Sequence, residues 1–174
     1  VKEFAGELKK MSDRTLDTLQ EGGLLSEKQV AQLRATYKNH VPLQRIMDDD
    51  NVFSALSGKG FDVKSSGLKR AVGSEREVDD IAGNILANFE QATVRAEKNR
   101  VGLNVLEFAR KNKDLDMFEV SGPRTIGKTF DDKFISDKNL PENALSVFEN
   151  GKQKIITIKD KNLAYPYYAV KKQI

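Results

Sequence analysis

The sequence predicts an α+β fold, mainly α, in which a long central helix carries amino-terminal helices and a small antiparallel β hairpin or sheet near the C-terminus. Three observations lead there. Two serine-led capping boxes, Ser26-Glu27-Lys28-Gln29 and Ser74-Glu75-Arg76-Glu77, each open a helical pattern. The second opens an apolar stripe that steps by three, four or seven residues from Val78 to Leu106. Beyond Asp114 that period gives way to strand-like runs around a single Asn150-Gly151 pair.

Residues Glu3 to Leu19 read as the first helix, with Phe4, Leu8, Met11, Leu16 and Leu19 loosely on one face and Gly22-Gly23 closing it. In the capping box that follows, the Ser26 hydroxyl accepts the Gln29 amide and the Gln29 side chain reaches back. Val30, Leu33 and Tyr37 then share a face. Pro42 ends this second helix, because it has no amide to donate and disfavours helical geometry in the residue before it. Between Pro42 and Gly73 no period is sustained, and the segment reads as a long loop. Within one module spanning 1–174, the chain thus divides into a helical hairpin (1–40), a loop (41–73), a long helix (74–113) and a β hairpin with a C-terminal segment (114–174).

The long helix, Glu75 to Asn112, carries Val78, Ile81, Ile85, Phe89, Ala92, Ala96, Leu103 and Leu106 on its stripe. At 1.5 Å per residue it would run about 57 Å, against a diameter of roughly 40 Å for a compact domain of this size. It must therefore protrude, bend or pack on another chain, and Gly83 and Gly102 mark the places for a bend or a close approach. Asn99 falls in register between Ala96 and Leu103. Buried there, its amide needs partners, so it reads as a residue that fixes register or ties down a neighbouring loop. Strands follow at Met117 to Val120, Leu145 to Glu149 and Lys152 to Lys159. Asn150-Gly151 supplies the two positive φ angles of a type I′ turn, which sets Glu149 opposite Lys152 and Leu145 opposite Ile156. An isolated hairpin is marginal, so this one must dock on a helix or a third strand, with Leu163 to Tyr168 as part of the cover.

Composition narrows the chemistry. With 39% hydrophobic and 32% charged residues, the chain has a thin core and much solvated helix surface. The absence of cysteine removes disulfides, thiolate zinc sites and cysteine nucleophiles, and matches a reducing compartment. No run is apolar enough to span a bilayer, and no charged-then-apolar leader opens the sequence. Val1-Lys2-Glu3, without an initiator methionine, is compatible with a domain inside a longer polypeptide or merely with processing. A net charge of +3 is too small to imply nucleic-acid binding by itself. The cations are locally concentrated, however, with Lys59, Lys64, Lys69 and Arg70 in the loop and six Lys and Arg between Arg95 and Lys113.

Gly122-Pro123-Arg124-Thr125-Ile126-Gly127-Lys128-Thr129 matches the Walker A pattern. Its context opposes that reading. A phosphate loop joins a buried strand to a helix whose first amides cradle the phosphates, yet Pro123 removes one amide and Phe130 to Pro141 is too polar and broken for that helix. Ile155 to Asp160 resembles a strand ending in a magnesium-binding aspartate, but its turn pairs it antiparallel. His40 stands alone without a nucleophile. Asp48-Asp49-Asp50 lacks EF-hand spacing, since Val52 and Phe53 fall where a ligand and the glycine belong. Arg95, Lys98 and Arg100 radiate around the helix and read as ion-pairing residues. The nucleic-acid reading combines Lys59, Lys64, Lys69 and Arg70 for phosphates with Tyr165, Tyr167 and Tyr168 for base stacking, next to Lys171 and Lys172.

The blocks Tyr37 to Arg45, Gly58-Lys59-Gly60-Phe61, Lys69 to Arg76 and Val94 to Gly102 resemble a domain of the large polyvalent proteins of tailed phages and mobile elements. The resemblance covers about Tyr37 to Val170. His40 stands where the family pattern has an aromatic residue, and Tyr165-Pro166-Tyr167-Tyr168 stands in place of the short helical end that follows the hairpin. What the resemblance implies is a non-catalytic scaffold or interaction module of a large phage protein, in the virion or the host cytoplasm. It implies no catalytic residue, metal or cofactor. Its partners would be other domains of the parent protein, a second copy or, weakly, nucleic acid. The expected attachment surface is the outer part of the long helix at Val101, Val105 and Phe108, and an accessory nucleic-acid-binding role is the alternative.

Overall fold

The computed structural model describes residues 2–36, 62–63, 66, 81–123, 125–128, 134–136 and 140–173. Among these residues, four helices, α1 (Lys2–Glu21), α2 (Glu27–Thr36), α3 (Ile81–Lys111) and α4 (Lys161–Gln173), accompany five strands. The strands are β1 (Phe118–Ser121), β2 (Thr125–Lys128), β3 (Phe134–Ser136), β4 (Ala144–Glu149) and β5 (Lys152–Ile158). The architecture is α+β and mainly α, as the sequence predicts.

Local chemistry sets the element ends. α1 stops in a Schellman arrangement, with Gly23 at φ +80° while the Leu24 amide donates to the Leu19 carbonyl at 2.9 Å and the Gly23 amide donates to that of Gln20 at 2.9 Å. Only three residues later the capping box closes as expected. The Ser26 hydroxyl accepts the Gln29 amide at 3.3 Å and the Ser26 amide donates to Gln29 Oε1 at 2.8 Å. The second box, Ser74 to Glu77, and the end of α2 at Pro42 lie outside the described residues. Asn150 and Gly151 take φ values of +53° and +73°, and the hairpin has the expected register, Glu149 opposite Lys152 and Leu145 opposite Ile156.

The hairpin gains both kinds of support. β1 adds antiparallel to β5, giving the order β1-β5-β4, and β4 packs on α3. On the other edge of the sheet, Asp62 and Val63 dock on β4. The Val63 amide donates to the Ser146 carbonyl, the Ser146 hydroxyl donates to the Val63 carbonyl at 2.7 Å, and Asp62 Oδ1 accepts the Ser146 amide at 3.0 Å. Ser146 is wholly buried and tolerated there because its hydroxyl also accepts from Gln153 Nε2 at 2.8 Å.

Two features depart from the sequence reading. Thr125–Lys128 and Phe134–Ser136 form a separate two-stranded antiparallel ribbon where a plain loop is expected. The Tyr165 to Tyr168 stretch lies inside a helix, α4, despite Pro166. That helix starts cleanly because Asp160 caps it, its carboxylate accepting the Asn162 amide at 2.7 Å and its carbonyl the Ala164 amide at 2.9 Å. Pro166 removes one backbone bond further in.

α3 organises the core. Over its described 31 residues it runs about 46 Å. Its buried positions are Ile85, Ala92, Ala96, Asn99, Gly102, Leu106 and Ala109. This corrects the expected stripe, since Ile81 is 46% exposed and Phe89 and Leu103 are half-buried. Small residues take the central places because neighbours approach at backbone distance. A Cβ on Gly22 of the α1–α2 turn would come within 2.6 Å of the Ala96 Cβ, and one on Gly102 within 3.1 Å of Val147. From Ala92 to Ala109 the buried line drifts roughly 100° around the helix. One cluster therefore forms on the α1–α2 side (Leu19, Leu24, Leu25, Val30, Val63, Ala92 and Ala96) and a second on the sheet side (Leu106, Ala109, Leu145, Val147 and Ile156).

Asn99, fully buried, sits where these clusters meet. Its Nδ2 donates to the carbonyls of Gly22 and Phe148, each at 2.7 Å, and its Oδ1 accepts the Phe148 amide at 2.7 Å. Both donors and one acceptor site of the amide are thus used. Close by, the Gly151 amide donates to the Gly23 carbonyl at 3.0 Å. Removing the amide strands three backbone groups, one buried and two partly buried, each costing about 1–3 kcal/mol, so Asn99→Ala is expected to destabilise the fold by about 3–5 kcal/mol in urea titrations. Asn99→Asp should cost no less, because a carboxylate turns acceptors toward two carbonyls. Near-wild-type stability of either variant would show that the clamp is not a principal tie.

Candidate interaction surface

The side of α3 turned away from both clusters carries Val94, Val101 and Phe108, which are 40%, 39% and 49% exposed. Their spacing of seven places them on one stripe, because seven residues return a helix to within about 20° of its starting direction. Val105 lies beside this stripe but is half-buried, packed at the edge of the sheet-side cluster. Phe108 meets Phe118 of β1 edge to face, with ring centroids 5.8 Å apart and planes at 88°. Val120, on the same face of β1 as Phe118, is 39% exposed, and Leu115, in the 3-10 turn between α3 and β1, is 57% exposed.

Exposed ion pairs flank the stripe, Arg100 with Glu97 at 2.7 Å and Lys111 with Glu107 at 2.6 Å. The Arg110 fork grips both oxygens of Glu149 at 2.5 and 2.8 Å, which ties the end of α3 to the hairpin and holds the Glu149 carboxyl below its ordinary range. The ion-pair reading of the α3 cations thus suits Arg100. Arg95 differs, since it is half-buried and burial lowers its pKa.

The nucleic-acid candidates are not brought together by the described residues. Lys59, Lys64, Lys69 and Arg70 lie outside them, as do His40 and Asp48-Asp49-Asp50. The side chain of Tyr168 is likewise outside. Tyr165 is 80% exposed, whereas Tyr167 packs against the sheet-side cluster. Burial, with a smaller contribution from the Asp62 carboxylate, pushes the Tyr167 hydroxyl well above its ordinary pKa. Its ring is used for the core, so it offers no stacking platform.

Of the Walker-like segment, Arg124 and Thr129 lie outside the described residues. Gly122 and Pro123 leave β1, and Thr125 to Lys128 form β2, with Lys128 opposite Phe134 of β3. The lysine stands on a strand of an antiparallel ribbon, whereas the lysine of a phosphate loop stands at the first turn of a helix that gathers amides on the phosphate. Asp160, the other half of that motif, caps α4. Among the described residues no three acidic or histidine side chains gather to hold a metal, and no helix is long and apolar enough to cross a membrane.

Comparison with known proteins finds no matching family model, no related curated sequence and no similar solved structure. The outward stripe is therefore read from geometry. Sequence reasoning singled out Val101, Val105 and Phe108 and missed Val94 and Leu115. The signal for Val94 was the heptad spacing, which the stronger core stripe masked.

Two outcomes are expected. Tyr167→Ala should lower stability by about 2 kcal/mol, while Tyr165→Ala stays within about 0.5 kcal/mol, as read by thermal and urea unfolding. Titration with magnesium-ATP or magnesium-GTP at micromolar concentrations should give no heat and no hydrolysis. Binding that disappears in Lys128→Ala would overturn the reading of β2.

Proposed function

We propose that the chain is a non-catalytic scaffold or interaction module of a large multi-domain phage protein, working in the virion or the host cytoplasm, and that it holds other parts of that protein through the outward face of α3. One observation carries the attachment surface: Val94, Val101 and Phe108 remain exposed on the helix whose other side packs into both described core clusters. Apolar side chains that repeat at heptad spacing on a well-anchored helix offer a partner helix or strand a continuous seam. The assignment to a phage protein rests on the ordered resemblance blocks, of which Val94 to Gly102 falls on this helix.

The test separates attachment from folding. Val105 and Phe108 also serve the sheet-side packing, so Val94→Ser with Val101→Ser is the cleaner pair. Its unfolding temperature should stay within a few degrees of wild type. Self-association by sedimentation equilibrium, or affinity for the adjoining segments of the parent polypeptide, should fall roughly tenfold or more. Unchanged association in a folded double variant would remove this face from consideration, and unfolding of the pair would make it part of the core.

A further inference from the structure

Asn150-Gly151 is the chain's only Asn-Gly pair. Such a pair has its own chemistry. The glycine amide nitrogen, unhindered by a side chain, can attack the asparagine carboxamide carbon. A base removes the N–H proton, the N–Cγ bond forms, the bond from Cγ to the side-chain nitrogen breaks, and ammonia leaves. The resulting succinimide takes up water at one of its two carbonyls. One product is aspartate, and the other is isoaspartate, in which the main chain runs through Cβ. No oxidant or reductant is needed.

Here the reactants are set up and restrained together. Asn150 is exposed, so water and base reach its carboxamide. The Gly151 nitrogen is occupied, because its N–H donates to the Gly23 carbonyl at 3.0 Å. The Gly151 Cα is also pressed against α2 so closely that a methyl group there would overlap the Gln29 side-chain oxygen and lie 2.8 Å from the Ser26 nitrogen. The peptide plane that must swing for ring closure is thus clamped on one side by the α1–α2 turn and on the other by the α2 capping box.

We propose that Asn150 is a site of spontaneous deamidation, and that the docking of the hairpin turn on the start of α2 holds it in check. Opening of that contact frees the nitrogen and starts the reaction. An isoaspartate then lengthens a two-residue turn by one backbone atom and adds a negative charge beside Glu149. The lengthened backbone no longer places the Gly151 amide and Cα in the seat formed by Gly23, Ser26 and Gln29, so the isomerised turn does not redock, whereas the aspartate product, with Asp-Gly in the same turn type, does. The modification converts a transient opening into a permanent one.

The full chain, incubated in mildly alkaline buffer with and without denaturing urea, tests this. Isoaspartate and released ammonia are followed over time, and the modified residue is located by peptide mapping. In the folded protein, modification at Asn150 should be at least about tenfold slower than in urea, tracking the rarity of local opening. Gln29→Ala removes the exposed side chain of the seat together with its bond to the Ser26 amide, and should speed the folded-state reaction several-fold, in step with faster hydrogen exchange of the Gly151 amide, while Asn99 and the core keep the fold. Asn150→Gln should remove the isoaspartate signal. Equal rates in folded and unfolded chains would overturn the proposal. So would modification mapping mainly to other asparagines, or a Gln29→Ala rate unchanged despite faster exchange at Gly151.

Discussion

The three hydrogen bonds of Asn99 are the constraint on which the arrangement depends. A wholly buried amide is tolerated only where its donors and acceptors are met. Here they are met by backbone groups of two other elements, the Gly22 carbonyl and both the amide and carbonyl of Phe148. The α1–α2 turn and the hairpin are thereby indexed to one point on α3. Apolar contact alone would leave that register loose, because Ala92, Ala96 and Ala109 are smooth and interchangeable surfaces. The small residues let the backbones close in, and the amide decides where they stop. Salt bridges play a lesser part, since those of the described residues lie at the surface, where such pairs contribute little.

This division of labour explains why one helix can carry a core and still present an apolar stripe. The buried line winds from the α1–α2 side to the sheet side, and the two clusters consume different sectors of the same cylinder. Val94 and Val101 lie in the sector that neither reaches. Phe108, near the end of α3, is partly claimed by Phe118 and partly left to solvent. The surface with a claim to function is therefore the part of the helix that packing does not use, and its rigidity comes from the part that packing does.

Much of this was legible in the residues. Ser26 and Gln29 announce a helix start through short-range chemistry, and Asn150-Gly151 fixes a hairpin register because few backbone conformations suit two consecutive positive φ angles. Asn99 stood out because a polar residue on an apolar stripe requires partners, although nothing local could say which carbonyls they were. Features that depend on distant pairing were hidden. The ribbon of β2 and β3 is built from strands of four and three residues, too short for alternation to register, with an irregularity between Thr125 and Gly127. α4 was obscured by Pro166, though Asp160 before it is an ordinary cap. The docking of Asp62 and Val63 on Ser146 bridges more than eighty residues, and no window along the chain contains both sides. The buried role of Tyr167 belongs to the same kind, because Tyr165 and Tyr167 look alike in sequence until a helix turns Tyr167 inward and leaves Tyr165 exposed.

The clamp also has a consequence for how the protein is made. Gly22 and Asn99 are 77 residues apart, and Asn99 and Phe148 a further 49. On a ribosome, α1 and α2 emerge long before the residue that orders them, and the hairpin that completes that residue's bonds emerges later still. Closing such long loops costs entropy before any contact repays it. Leu19, Leu24 and Val30 therefore stay uncovered until Ala92 and Ala96 of α3 emerge, and the Asn99 clamp closes only once the hairpin is out. Such a fold sets its own delay between the emergence of its first helices and the closing of its last tie.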